Sequence, residues 1–157
     1  MRKLAIIPAR GGSKRIPRKN IRNFLGTPII AHTIKIALST KIFDEVMVST
    51  DDEEISKISK FYGAKVPFLR SEVNSSDMAT TGDVILEVIN YYENNLKNFD
   101  FVCCIYPTSV FLNQEWLNES FNQLNKNKLD TVFSAVKYGH PIQRSFVIKN
   151  KGKIKLK

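Results

Sequence analysis

Between Ile7 and Asn20 the chain reads IPARGGSKRIPRKN, and five cations stand within ten residues of it: Arg10, Lys14, Arg15, Arg18 and Lys19. Like charges this close repel one another unless an anion joins them. Gly11 and Gly12 permit close backbone approach and unusual dihedrals, so that main-chain N–H groups can turn toward such an anion. The chemistry implied is the binding of phosphates; the bland alternative is a flexible basic surface loop. The pattern is not a Walker loop, since no Gly-Lys-Ser/Thr follows at the required distance, and the dinucleotide glycine spacing is missing too. Ser13 has no adjacent base, which argues against a serine nucleophile. His32 and His140 are the two histidines of the chain, one on an expected helix and one in a loop, too few for a zinc or iron cluster.

The formal net charge of +9 raises the question of nucleic acid. Residues 1–22 carry eight basic side chains and no acidic one, and residues 149–157 carry five lysines. The stretch between them is net acidic. Charge concentrated in one loop suits a compact polyanion such as a triphosphate better than a long one, and no nucleic-acid partner is expected. The alternating lysines Lys149 to Lys157 read as a solvated strand face. Cys103 and Cys104 are the two cysteines; adjacent in an expected strand, they point to opposite faces and give no disulfide framework. A reduced, cytoplasmic setting is the natural reading. No run approaches the roughly 20 apolar residues that span a bilayer, so no membrane partner is expected.

The elements that must position the loop follow from the hydrophobic pattern. A chain of 157 residues, 43% hydrophobic, fits a single domain over residues 1–157. Short apolar runs predict strands at Leu4–Pro8, Glu45–Ser49, Lys65–Leu69, Phe101–Tyr106, Thr131–Val136, Ser145–Lys149 and Lys153–Leu156, the last two joined by a turn at Asn150-Lys151-Gly152. Helical periodicity predicts helices over Pro28–Ser39, from Asp51 to about Tyr62, from about Thr81 to Asn95, and over Gln114–Asn125. The acids Asp51 to Glu54 suit a first helical turn, and Gly63 suits its end. Trp116, Phe121 and Leu124 at helical spacing read as core. Strands separated by helices imply an α/β fold with a mostly parallel sheet and helices on both faces, a Rossmann-like arrangement. Ligands then sit beyond the carboxyl ends of the strands, which directs attention to residues 9–20, 49–53, 70–81 and 107–113.

Those same segments carry a resemblance. IPARGGSKRIPRKN resembles the N-terminal signature of the acylneuraminate cytidylyltransferase family, which includes the CMP-sialic acid synthetases. VSTDD at Val48–Asp52, PFLRSEVNSSDMATT at Pro67–Thr81 and YPTS at Tyr106–Ser109 fit the same family. VPFLRSE, CCIYPTS and the HPIQR of His140–Arg144 are most similar to its pseudaminic acid cytidylyltransferase branch. The resemblance implies the nucleotide-diphospho-sugar transferase fold and a reaction joining CTP to an acidic nine-carbon (nonulosonic) sugar, giving a CMP-sugar and pyrophosphate. The alternatives within it are an N-acetylneuraminate or ketodeoxyoctonate substrate; outside it stands a nucleotide-binding module without turnover.

Residue by residue, the resemblance assigns Arg10, Ser13 and Lys14 to the CTP phosphates, Arg10 and Lys14 also neutralising charge during transfer. Gly11 and Gly12 belong to the same cradle. Lys19 would be a second phosphate cation, Asn20 a nucleotide contact, and Ala9 a source of backbone groups for the base. Arg70 and Thr81 match positions that read cytosine and its surroundings. Tyr106 stands where sialic acid synthetases commonly carry Gln, a departure that fits the pseudaminic branch. Gln143 and Arg144 would meet the sugar, Arg144 through its fork of donors. Asp77 is a loop position suited to capping the following helix or to a direct role. Mg²⁺ is the implied cofactor, but the family's metal carboxylates fall on a later strand, so its ligands are unknown. The chain is therefore expected to be C-terminally incomplete, and the full-length form to be a homodimer. Asp51 and Asp52 are explained by a helix start more readily than by a metal.

Overall fold

The computed structural model describes residues 1–137, 139, 146–148 and 154–156. Residues Met1–Glu119 form one compact unit and Ser120–Lys157 a second.

The first unit is built around β1 (Lys3–Pro8), whose register runs parallel to β4 (Glu45–Ser49) on one side and β5 (Phe101–Cys104) on the other. Alternation along β1 sends Ala5 and Ile7 into one core, with Ile30, Ile34, Ala37, Val46, Val48, Ile55 and Leu117. Leu4 and Ile6 enter the other, with Met47, Val88 and Tyr92. Leu4, Ile6 and Ile7 are fully buried, each stabilising the fold by about 1.5–3 kcal/mol. Helices cover both faces, as the pattern predicts: α1 (Ile29–Ser39) and α2 (Glu53–Phe61) on the first, α4 (Thr81–Asn94) on the second.

Several elements of the first unit differ from the sequence expectation. Asn23–Phe24 (β2) and Thr27–Pro28 (β3) form a small hairpin that leads into α1, turning at Leu25 (φ 50°) and Gly26 (φ 87°). Lys65–Leu69 is not a strand. It keeps a single parallel bridge from Lys65 to Met47 and rejoins the edge of β4 where the Arg70 N–H donates to the Thr50 carbonyl at 2.8 Å. Pro67 has no N–H to give, so the ladder breaks there. The helix expected from Asp51 begins as α2 at Glu53, with Asp52 as its cap accepting from the Ile55 N–H at 2.9 Å. Gly63 (φ 93°) ends the segment as expected, the Ala64 N–H reaching back to Ser59 at 3.0 Å.

One helical turn, α3 (Glu72–Ser75), precedes α4, whose start is a capping box: Thr80 accepts from the Asp83 N–H at 3.2 Å and Asp83 from the Thr80 N–H at 2.8 Å. Asp77 is therefore not the cap. Helix α5 (Gln114–Lys126) begins in the first unit, where Leu117 is buried, while Trp116 is 57% exposed and not core. In the second unit β6 (Phe146–Ile148) pairs antiparallel with β7 (Ile154–Leu156), within the strands expected at Ser145–Lys149 and Lys153–Leu156, while the turn expected at Asn150-Lys151-Gly152 lies outside the described residues. The strand expected at Thr131–Val136 is irregular chain: Phe133 and Val136 stand exposed, with no ladder partner among the described residues.

Candidate functional site

The loop that leaves β1 starts rigidly. Ala9 is fully buried, and its N–H donates to the Ser49 carbonyl at 2.8 Å, continuing the β1–β4 ladder past the strand end. Its carbonyl is what remains for any contact with a base. A tight turn follows, with the Ser13 N–H on the Gly11 carbonyl at 2.9 Å. Further on, Asn20 is buried and donates to the Arg10 carbonyl at 3.0 Å, tying the end of the loop to its beginning. Its own Oδ1 is buried without a partner, an unsatisfied acceptor of the kind that marks a ligand position. Neither Gly11 nor Gly12 lies at positive φ. Gly12 has open space where a Cβ would go, whereas Gly11 is pressed against Asp52.

Asp51 and Asp52 hold this loop from outside. Asp51 Oδ1 accepts from the Gly11 N–H at 2.8 Å. Asp52, while capping α2, also pairs with Arg18, which reaches on to Glu54. Arg18 itself sits in the left-handed region at φ 54°. The hydrogen bond from Arg18 keeps the Asp52 carboxyl below its ordinary value against the opposing effect of burial. Asp52 in turn raises the Arg18 guanidinium. A helix start accounts for Asp52, as the sequence suggests, but not for Asp51. The missed signal was the neighbouring glycine loop itself, whose N–H groups need acceptors.

On the other side, Arg10 donates to the Ser76 carbonyl at 3.2 Å and pairs with Asp77 at 2.9 Å. Lys14 pairs with the other oxygen of the same carboxylate. The hydrogen bond from Lys14, followed by the nearby charges, holds Asp77 below the usual carboxylate range. Arg15 and Lys19 are exposed and form no ion pair among the described residues.

Arg70 is buried beside the loop, its Nε donating to Ser49 Oγ at 2.9 Å and its Nη2 to the Ser49 carbonyl. Burial pulls its guanidinium down, Asp51 and Glu87 oppose that, and Arg10 adds to it; it stays cationic throughout any working range. Thr81, at the start of α4, and Tyr106, after β5, share a hydrogen bond of 3.0 Å between their hydroxyls. The loop, Arg70, Asp51 and Asp77 thus come together beyond the carboxyl ends of β1 and β4, and the Thr81–Tyr106 pair stands beyond β5. Gln143 and Arg144, like His140, lie outside the described residues.

Among the described residues no group of three or more His, Cys, Asp or Glu side chains could hold a metal ion. Asp52 and Asp77 are taken up by cations, and Asp51 contributes one carboxylate already bonded to Gly11. Mg²⁺ asks for a near-octahedral shell of oxygens. The described residues do not assemble one. No helix among them is long and apolar enough to cross a membrane.

The cytidylyltransferase family profile matches residues 4–149. The chain is 43% identical over 154 residues to the pseudaminic acid cytidylyltransferase of Campylobacter jejuni, covering 98% of this chain and 66% of that protein. It is 41% identical over 120 residues to the CMP-N,N'-diacetyllegionaminic acid synthase of Legionella pneumophila, covering 76% of this chain and 52% of that one. The fold is shared with a solved CMP:2-keto-3-deoxy-manno-octonic acid synthetase in complex with CTP, at a TM-score of 0.70 and 23% identity, covering 82% of this chain and 49% of that one. The chain spans under two thirds of the length of these relatives. With a profile that runs from β1 to the end of the β6 region and relatives identical at more than four positions in ten, the chain belongs to the cytidylyltransferase family.

Proposed function

We propose that the loop of residues 9–20 binds the triphosphate of CTP, as part of a protein that transfers CMP to an acidic nonulosonic sugar, pseudaminic acid in preference. The observation that carries this reading is the loop itself: five cations on a loop held at the Gly11 N–H by Asp51, at the Arg10 carbonyl by the Asn20 side chain and at the Arg18 guanidinium by Asp52. A loop fixed at three points before its ligand arrives loses little entropy on binding. Arg10, Ser13, Lys14 and Lys19 take the phosphates, with Gly11 and Gly12 giving the backbone room. Asn20, with its unpartnered Oδ1, together with Ala9, Arg70, Thr81 and Tyr106, takes the nucleoside. Gln143 and Arg144 are assigned to the sugar.

In the reaction, the anomeric hydroxyl oxygen of the sugar bonds to the α-phosphorus of CTP. The bond from that phosphorus to the β-phosphate oxygen breaks, pyrophosphate leaves with the electron pair, and the hydroxyl proton passes to solvent. The protein's tasks are in-line placement and neutralising developing negative charge. Arg10 and Lys14 serve the second. Mg²⁺ has its place as the counter-ion that a triphosphate carries, its protein ligands unassigned. The Campylobacter and Legionella relatives support the nonulosonic class of sugar. A cytoplasmic setting is supported by the two free thiols, Cys103 and Cys104, and a homodimer is proposed for the full-length protein.

Calorimetric titration tests the nucleotide assignment. CTP is expected to bind far more tightly than ATP, and Lys14→Ala to weaken CTP by roughly 1.5–3 kcal/mol. Equal affinities for CTP and ATP would remove it. Pyrophosphate release with CTP, Mg²⁺ and pseudaminic acid, measured on this chain and on one extended by the relatives' C-terminal segment, tests turnover. The extended chain is expected to be the active one.

A further inference from the structure

Two of the loop's cations spend the nucleotide-free state on one carboxylate. Arg10 and Lys14 bind opposite oxygens of Asp77, and Arg10 also holds the Ser76 carbonyl. Nothing else among the described residues asks for an acid there. Helix α4 is already capped by Thr80, with Asp83 closing the box, and the Asp77 side chain is 46% exposed. A carboxylate carries the charge and the paired oxygens of a phosphate edge, and it bridges the two residues assigned to neutralise transferred phosphate.

We infer that Asp77 is a stand-in anion, which occupies the charge position of the nucleotide phosphates until a polyphosphate displaces it. The inference rests on the phosphate reading of the loop and adds a specificity-determining residue to it. Half-exposed ion pairs in water are weak, so a triphosphate with several charge-assisted contacts exchanges readily with Asp77. A lone inorganic phosphate gains too little to do so. The same exchange in reverse helps release pyrophosphate, since Asp77 recaptures Arg10 and Lys14 as the product departs. It also couples the two halves of the crevice, because residues 76 and 77 lie between Arg70 and Thr81.

The test is calorimetric titration of CTP, pyrophosphate and inorganic phosphate into the wild-type chain, Asp77→Asn and Asp77→Glu, at low and at high salt. Asp77→Asn is expected to bind CTP and pyrophosphate roughly three- to tenfold more tightly, the range that one or two exposed ion pairs allow. Asp77→Glu, which keeps the charge, should stay near wild type, and the gain should shrink in high salt as screening weakens the pairs. Weaker CTP binding by Asp77→Asn would overturn the inference, because Asp77 would then be organising the site for the nucleotide. Unchanged affinities would overturn it as well. A wild-type chain that binds neither CTP nor pyrophosphate would instead sink the phosphate reading, whatever Asp77 does.

Discussion

A Cβ placed on Gly11 would lie 2.5 Å from Asp52 Oδ2 and 2.9 Å from Asp52 Cβ. Asp52 cannot step aside cheaply, because it caps α2 and holds Arg18 at the same time. Gly11→Ala is therefore expected to weaken CTP binding about tenfold or more and to cost about 1–3 kcal/mol of stability, as overpacking does. Calorimetry and thermal unfolding read the two effects separately; unchanged affinity would mean that this close approach does not shape the loop. Asp52 also makes a statement about pH. Its folded value is depressed, so its contribution is complete at neutral pH and is lost as pH falls through that depressed value. The gap in unfolding midpoint between wild type and Asp52→Asn should hold at neutral pH and close below roughly pH 4, the ordinary Asp range. At this scale the sequence displayed the cations and their chemistry plainly. It did not display which acid meets which part of the loop, since Asp52 lies 34 residues from Arg18, Asp51 40 from Gly11 and Asp77 63 from Lys14, and only the fold brings them near.

Among the elements, α4 offers the clearest stability test. Its capping box satisfies N–H groups at both Thr80 and Asp83, so Thr80→Ala should cost about 0.5–2 kcal/mol. For a chain of this size that lowers the melting midpoint by roughly 2–4 °C per kcal/mol, measurable by circular dichroism; no shift would show that the box contributes nothing. The main strands and helices were legible because apolar runs here are punctuated by Pro8, Gly63 and Pro107. Elements below the length of any pattern were not, and two-residue strands such as β2 and β3 belong to that class. Lys65–Leu69 misled for a different reason. Its composition is that of a strand, while one missing N–H at Pro67 leaves it a bridge and a bond to β4. That interruption is useful, since the chain reattaches at Arg70 and buries its guanidinium against Ser49.

Across the whole first unit, the end opposite the loop is secured by Glu45, which is buried at the start of β4 and accepts from Tyr92, Lys97 and Lys65. Burial pushes its carboxyl up, yet the hydrogen bonds from Lys97, Tyr92 and Lys65 outweigh it and leave it below the ordinary value. Glu45→Gln is expected to cost about 1–3 kcal/mol, seen as a lower denaturant midpoint, with CTP affinity unchanged because the cluster sits at the far end of the sheet. A matching loss of affinity would show that the two ends are coupled. The strand order has a consequence for synthesis. β1 is made before both of its neighbours, with partners at Glu45–Ser49 and Phe101–Cys104. At ribosomal speeds of roughly 5–20 residues per second, the second of these arrives about 5–20 s later. Through that interval Leu4, Ile6 and Ile7 have no complete sheet to enter. A segment that ends fully buried at Leu4, Ile6 and Ile7 is thus, during its birth, exposed apolar chain of the kind a chaperone shields.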